Sequence, residues 1–356
     1  MRAERPSRRL QPPTPLAVGT MLGEYEVRHV LGQGSFGFVY RVTDAAADID
    51  LAVKEFMPMH WALRIGATDV AARGPAEAEA FAQGLRFFLN EGRLLQQLDH
   101  PALIKVHGCW EANGTAYLAM DMCTGRNLHD TLQARWRSPS ESALRSLLDT
   151  LLGALEHLHG AGLQHRDIAP QNIMIEADGR PLLMDLGAAR RVSSARGEAG
   201  AVGPRDGYAA LEMYSQHQQL KRGPWTDFYA LGAILHLMII GKPPPAASSR
   251  HQGDRIGFTL QRRDHRHSLL FLSIIDWLLA LQPADRPQSV AELRAALAGE
   301  SPVPARHQPS RKARWGMQFR RHRHWLWIGL GLLVTLALAA YVYRLWRTGL
   351  LPFLLR

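Results

Sequence analysis

The apolar pattern of this chain changes once, near Cys123, and that change restricts it to a fold whose strands and helices are segregated. From Tyr25 to Met122 the residues read as short strands, at 25–31, 37–42, 51–56, 104–110 and 116–122, rich in β-branched and aromatic side chains. One helix interrupts them, with Phe87, Phe88, Leu94, Leu95 and Leu98 forming a stripe that Asp99-His100-Pro101 ends. Beyond Cys123 the stripes are helical, at 143–159, 227–240 and 269–281. The spacing predicts an α+β protein of two unequal lobes, a small β-rich one over residues 23–122 and a larger helical one over 123–299.

The chain has 356 residues, 46% of them hydrophobic, enough for a sizeable core. Cys109 and Cys123 are too few for a disulfide framework or a tetrahedral zinc site, which points to a reducing compartment and plain buried thiols. The net charge of +10 concentrates at the ends: Arg2, Arg5, Arg8 and Arg9 at the start, and Arg311, Lys312, Arg314, Arg320, Arg321 and Arg323 before a long apolar run. No basic face interleaved with aromatics accompanies it, so nucleic acid is not an expected partner. The first arginines are followed by the polar, proline-rich stretch from Gln11 to Pro15, so residues 1–22 read as a disordered arm and not as a signal peptide.

Residues 301–310 form a proline-rich, polar linker, the start of a basic juxtamembrane segment over 300–324. Trp325 to Tyr343 then runs for 19 residues without a formal charge. As a helix rising ~1.5 Å per residue it would span about 28 Å, close to a hydrocarbon core of ~30 Å. Trp325, Trp327, Tyr341 and Tyr343 stand at its two ends, where amphipathic rings favour the headgroup level. Six Lys or Arg precede the span, against Arg344, Arg347 and Arg356 after it, which orients the large N-terminal part to the cytoplasm of a single-pass inner-membrane protein. Residues 344–356 form a short extracytoplasmic tail.

Chemistry concentrates in four segments. Gly32-Gln33-Gly34-Ser35-Phe36-Gly37-Phe38-Val39 lies between two predicted strands, and glycines so placed let the backbone offer N–H groups to anionic oxygens. A strand follows this loop, whereas a dinucleotide fold would place a helix there. Ala52-Val53-Lys54 sits on the next strand, where a lysine holds phosphate if a carboxylate orients it, and Glu91 on the Phe87 to Leu98 helix is the natural partner. The third segment is His165-Arg166-Asp167-Ile168-Ala169-Pro170-Gln171-Asn172, and the fourth is Asp185-Leu186-Gly187 in a strand-turn context.

Over residues 24–299 these segments resemble a bacterial, eukaryotic-like Hanks-type serine/threonine protein kinase. The resemblance implies a two-lobed kinase fold, ATP with Mg²⁺ or Mn²⁺ as cofactors, and protein substrates. It implies that Gly32, Gly34 and Gly37 cover ATP, that Lys54 holds the α- and β-phosphates with Glu91 positioning it, and that Asp167 accepts the substrate hydroxyl proton. Asn172 and Asp185 would hold the metal. Met120 matches the gatekeeper; Asp121 and Cys123 would offer hinge backbone to adenine, with Val39, Ala52 and Met174 sandwiching the ring. Leu95, Val106, His165 and Leu186 match the stacked spine, Glu212 would pair with Arg286, and Asp227 would anchor the catalytic loop.

The chain departs from the family where serine/threonine kinases carry a lysine that contacts the γ-phosphate, because that position is Ala169. Seven residues before Glu212, Arg205 stands where those kinases have a threonine that bonds the same lysine, so Arg205 is expected to supply the missing charge. Between Asp185 and Glu212 there is no threonine; Ser193 and Ser194 are candidate phosphosites with Arg166 as partner, and a second copy of the chain is the expected partner in autophosphorylation. The insert from Met57 to Glu79 is longer than usual and has no role assigned by the resemblance. A pseudokinase scaffold is the main rival reading, opposed by the retention of Lys54, Glu91, Asp167, Asn172 and Asp185, and a small-molecule phosphotransferase of similar fold is a third, opposed by Ala210-Leu211-Glu212, Asp227 and Arg286.

Overall fold

A computed structural model describes residues 14–134, 136–186, 190–191, 204–217, 219–250 and 266–304, together with Ala340, Arg344 and Arg347. A six-stranded antiparallel sheet forms the first lobe, in the order β1 (Met21–Leu22), β2 (Tyr25–Gly34), β3 (Gly37–Asp44), β4 (Ile49–Glu55), β8 (Thr115–Asp121), β7 (Val106–Ala112). Between β4 and β7 the chain makes a hairpin, β5 (Ala62–Ile65) and β6 (Asp69–Ala72), and the helix α1 (Pro75–Leu95). This helix starts twelve residues before the expected stripe. Its first half, alanine-rich with a proline in the first turn, favours helix without presenting a row of large apolar residues.

The hairpin gives the insert a structural function. Alternate residues of the sheet face opposite ways, and on one face Tyr40, Val42, Val53, Tyr117 and Ala119 are fully buried in a core with Ala62 and Val70 of the hairpin, Leu16 of the N-terminal arm, and Phe81 and Leu89 of α1. Glu55 lies in this core, fully buried. It accepts from Arg64 Nη2 (2.5 Å), the Tyr40 hydroxyl (2.8 Å) and the Tyr117 hydroxyl (3.2 Å). Burial, and then the Glu55 charge, raises the pKa of both phenols, so they remain donors.

Arg64 also donates to the carbonyl oxygens of Thr14 and Thr68, and the Leu16 amide donates to the Tyr40 hydroxyl. The expected disordered arm over 1–22 is therefore corrected from residue 16 onward: Leu16 and Leu22 are buried, and β1 pairs with β2. Residues 1–13 lie outside the described residues. Replacing Arg64 by alanine removes the one cation on a buried carboxylate that keeps two phenolic donors, so a loss of about 2 kcal/mol in urea unfolding is expected. An unchanged midpoint would show that the hairpin is not tied down through this network.

The second lobe begins with the short strand β9 (Arg126–Asn127) and α2 (Leu128–Ala134), then α3 (Glu141–Gly160), β10 (Leu163–Gln164), β11 (Ile173–Ile175) and β12 (Pro181–Leu183). Helices α4 (Pro224–Ile240), α5 (Ala247–Arg250), α6 (Leu269–Leu278) and α7 (Val290–Ala298) follow. Ser140, Ser268 and Ser289 cap α3, α6 and α7 by accepting from amides three residues on. Helix α4 is buried on nearly every side, as a core helix apolar around its circumference must be. Leu144, Leu148, Leu151, Leu155 and Leu158 of α3 and Phe271, Leu272 and Ile275 of α6 belong to the same core.

The expected span over 325–343 lies outside the described residues except for Ala340. Among the described residues no helix is long and apolar enough to cross a membrane.

Candidate active site

Strand register places one half of the site. Val39 pairs with Lys54, Lys54 with Leu118, and Ala52 with Met120, so all five side chains share the sheet face opposite Glu55. The glycine segment is the β2–β3 hairpin itself. A Cβ at Gly32 or Gly34 would meet nothing within 4 Å, so bare backbone faces open space there. Gly37 is different. Its φ is +135°, and a Cβ would run into the Glu55 carbonyl and the Met57 amide. The Met57 amide also donates to the Phe36 carbonyl (2.7 Å), which ties the hairpin tip to the start of the insert.

The other half comes from the turns around β10, β11 and β12. Asp227, fully buried at the start of α4, accepts from the amides of His165 (3.0 Å) and Arg166 (2.8 Å) and from His159 Nε2 (2.8 Å). Burial alone would raise its pKa, yet the bond and charge of His159, with the Arg166 amide, hold the carboxyl below the usual range. This anchor keeps Arg166 at φ +64°, a conformation a non-glycine residue adopts only when its surroundings impose it. Asp185 is likewise left-handed, at φ +53°.

Within this frame Asn172 Nδ2 donates to the Asp167 carbonyl (2.7 Å) and to Asp167 Oδ2 (2.9 Å). Arg205 meets the same carboxylate, with Nη2 3.0 Å from Oδ2, Nε 3.2 Å from Oδ1, and Nη1 3.5 Å from Gln171 Oε1. Lys54 Nζ lies 2.5 Å from Asp185 Oδ1. Glu91 is buried on α1, and the ion pair of Lys54 is with Asp185 instead. Ala169 is fully buried.

At the junction Met120 is partly buried, and Asp121 is exposed with its carboxylate 2.6 Å from His107 Nε2. Burial and the Glu176 charge push the Cys123 thiol up to about 12, so it stays protonated. Met174 pairs with Asn127 and Leu182 at the half-buried centre of a three-stranded sheet. Leu95, Val106 and Leu186 share one core with His165 buried beside them, its Nε2 2.9 Å from the Met184 carbonyl. Arg286 and Glu212, both fully buried, form a two-pronged pair at 2.7 and 3.0 Å.

Sequence spacing alone did not single out His159, Gln171 or Met57. For His159 the available signal was its place six residues before the His165-Arg166-Asp167 segment; for Met57 the contact is backbone and leaves none. Ser193 and Ser194 lie outside the described residues, as does Gly187.

A β-sheet lobe with a glycine hairpin and a lysine, and a helical lobe with two aspartates and an asparagine, the lysine pairing with one of those aspartates, define the protein kinase fold. The chain belongs to the protein kinase family, whose domain matches residues 25–296. It is similar to a probable serine/threonine-protein kinase of Dictyostelium discoideum, 27% identical over 252 residues that cover 67% of this chain and 50% of that one. The serine/threonine-protein kinase PknH of Mycobacterium tuberculosis is 28% identical over 233 residues, 65% of this chain and 34% of PknH. The chain thus spans half or less of the length of these curated relatives. A solved structure named "PpkA-294 apo form" superposes with a TM-score of 0.69 at 36% identity, covering 80% of this chain and 99% of that one.

Proposed function

We propose that the chain transfers the γ-phosphoryl group of ATP to serine or threonine hydroxyls of proteins. The observation that carries this reading is Asp167, a half-buried carboxylate bonded by both Asn172 and Arg205, in the lobe whose Asp185 pairs with Lys54 of the sheet. Phosphoryl transfer requires positioned charge more than covalent chemistry. In this assignment Gly32, Gly34 and Gly37 cover the phosphates, Lys54 holds the α- and β-phosphates, and Glu91 takes over its orientation once nucleotide draws Lys54 from Asp185. Asp167 accepts the hydroxyl proton. The adenine lies between Val39, Ala52 and Met174, against the backbone of Asp121 and Cys123.

Arg205 supplies the cation for the γ-phosphate that Ala169 does not. The Asp185 carboxylate and the Asn172 amide oxygen are hard donors that suit Mg²⁺ or Mn²⁺, with a cation already drawn to Asp185 in the form of Lys54. Such an ion neutralises charge on the phosphate oxygens. The serine/threonine assignment draws on the names of the relatives.

Purified chain with Mg²⁺ and labelled ATP is expected to label itself or a basic protein substrate, and an Asp185→Asn control is expected not to. Equal labelling by both would remove the assignment; ATP binding without transfer by either would make the chain a scaffold. A second copy is the partner in self-labelling, so its initial rate is expected to rise with the square of concentration.

Residues 325–343 are proposed to tether this domain to the cytoplasmic face of the inner membrane. Their support is the 19-residue uncharged run, its terminal aromatics and the six basic residues before it. Resistance of the membrane-bound chain to carbonate extraction is the expected result, and release by carbonate would end the proposal.

A further inference from the structure

Asp206 carries a charge that no described cation answers. It directly follows Arg205, whose guanidinium is engaged by Asp167, and its own recorded side-chain bond is with the Tyr214 hydroxyl, which donates to Oδ1 at 2.9 Å. Its side chain is exposed. An exposed aspartate is ordinarily a solvated surface charge, but this one sits on a backbone with little freedom. The amides of Tyr208 and Ala209 both donate to the Arg205 carbonyl, at 3.0 and 2.8 Å. Gly207, at φ +87°, lies so close to the next loop that a Cβ would stand 3.0 Å from both Pro243 Cβ and the Pro244 carbonyl oxygen. Tyr214 is itself buried, so the phenol that orients the carboxylate is fixed as well.

The consequence is geometric. Arg205 bridges from the Asp206 backbone to the carboxylate that receives the substrate hydroxyl, and neighbouring Cα atoms are ~3.8 Å apart. A peptide presenting its hydroxyl to Asp167 extends ~3.3–3.6 Å per residue, so a side chain one or two positions from the acceptor passes within reach of Asp206. A long cation fits that place, because among the described residues the carboxylate is bonded at Oδ1 alone and has no partner charge to displace. We propose that Asp206 is a specificity-determining residue that selects a lysine or arginine within two positions of the phosphoacceptor. The proposal rests on the phosphotransfer reading for its context, and on Asp206 for its content.

The test uses the full chain, native and Asp206→Asn, the latter keeping an oxygen for Tyr214. Each is assayed on a serine peptide panel in which every position flanking the acceptor is alanine, lysine or glutamate. For the native chain, kcat/KM with lysine over alanine at one position within two residues of the acceptor is expected to be about tenfold, as one charge-assisted contact supplies. In Asp206→Asn the ratio is expected to fall below about twofold, and in Asp206→Arg glutamate should become the better residue. Fluorescence anisotropy of the same peptides with alanine at the acceptor reads binding without chemistry. A lysine preference that survives Asp206→Asn, or none in the native chain, overturns the proposal. An Asp206-dependent lysine preference in binding with no transfer to any peptide would uphold it and remove the phosphotransfer reading instead.

Discussion

Asp167→Asn is expected to lower kcat by about 10³-fold, the scale of a lost general base, while ATP binding measured by calorimetry stays within about twofold. The substituted side chain has the same shape and still receives the Asn172 amide, so the loop anchored on Asp227 should not move. Arg205→Ala is expected to cost about 10²-fold in kcat, as removal of a single donor from developing transition-state charge does. That loss belongs in kcat and not in KM for ATP, because a group aimed at the transferred phosphoryl acts mainly in the transition state. Arg205→Lys keeps the charge but not the fork that spans Asp167 Oδ1 and Oδ2, so it should fall between the two. Free guanidinium ion added to Arg205→Ala should restore part of the rate. A merely structural arginine predicts no such recovery, and rates unchanged by Arg205→Ala would return Arg205 to the role of a surface cation.

What the sequence could express is what spacing along one segment determines. The strands on either side of the glycine segment and the apolar helix over 227–240 follow from local period and from residue type, whereas the pairing of Glu212 with Arg286 is implied by the family resemblance alone. The meeting of Arg205 with Asp167 could be expected because two compensating departures, a cation lost at Ala169 and one gained at Arg205, stood at positions the fold brings together. The β5–β6 hairpin packed on the sheet could not. Its strands are four residues each, too short for a period, and its polar centre joins Glu55 to Arg64, Tyr40 and Tyr117, a constellation that no short motif encodes. The arm around Leu16 reads as disordered because proline and polar residues precede it, while its docking depends on contacts scattered along the chain: the buried Leu16 and Leu22, the Leu16 amide on Tyr40 and the Thr14 carbonyl on Arg64. The partner of Lys54 is also beyond local pattern, since Glu91 and Asp185 are both carboxylates within the same junction, and tertiary geometry selects between them.

Arg286→Ala is expected to destabilise the helical lobe by about 3–5 kcal/mol, the range for removing one member of a buried ion pair. All five donors of this guanidinium are in use: two on Glu212 and one each on the carbonyls of Ala280, Leu281 and Trp225. Its plane also lies over the Tyr229 ring at 4.9 Å. Alanine would leave Glu212, fully buried, with the Thr226 hydroxyl (2.8 Å) as its side-chain donor among the described residues and would take one donor from each of three carbonyls. Against a total stability of roughly 5–15 kcal/mol this is a large share, visible as a lower urea midpoint with little change in slope. Arg286→Lys should recover less than half, because one ammonium has three donors and cannot reach five acceptors arranged around a plane. The double change Glu212→Gln with Arg286→Met should fall between, since it removes the stranded charge yet still takes a donor from each of the three carbonyls. The same pair fixes the segment from Ala210 to Tyr214, which leads back to Arg205, so activity in Arg286→Ala should fall at temperatures where the fold is still intact. If Arg286→Ala unfolds at the native midpoint, the pair holds nothing together, and the stability of this lobe must come from the apolar contacts of α4 alone.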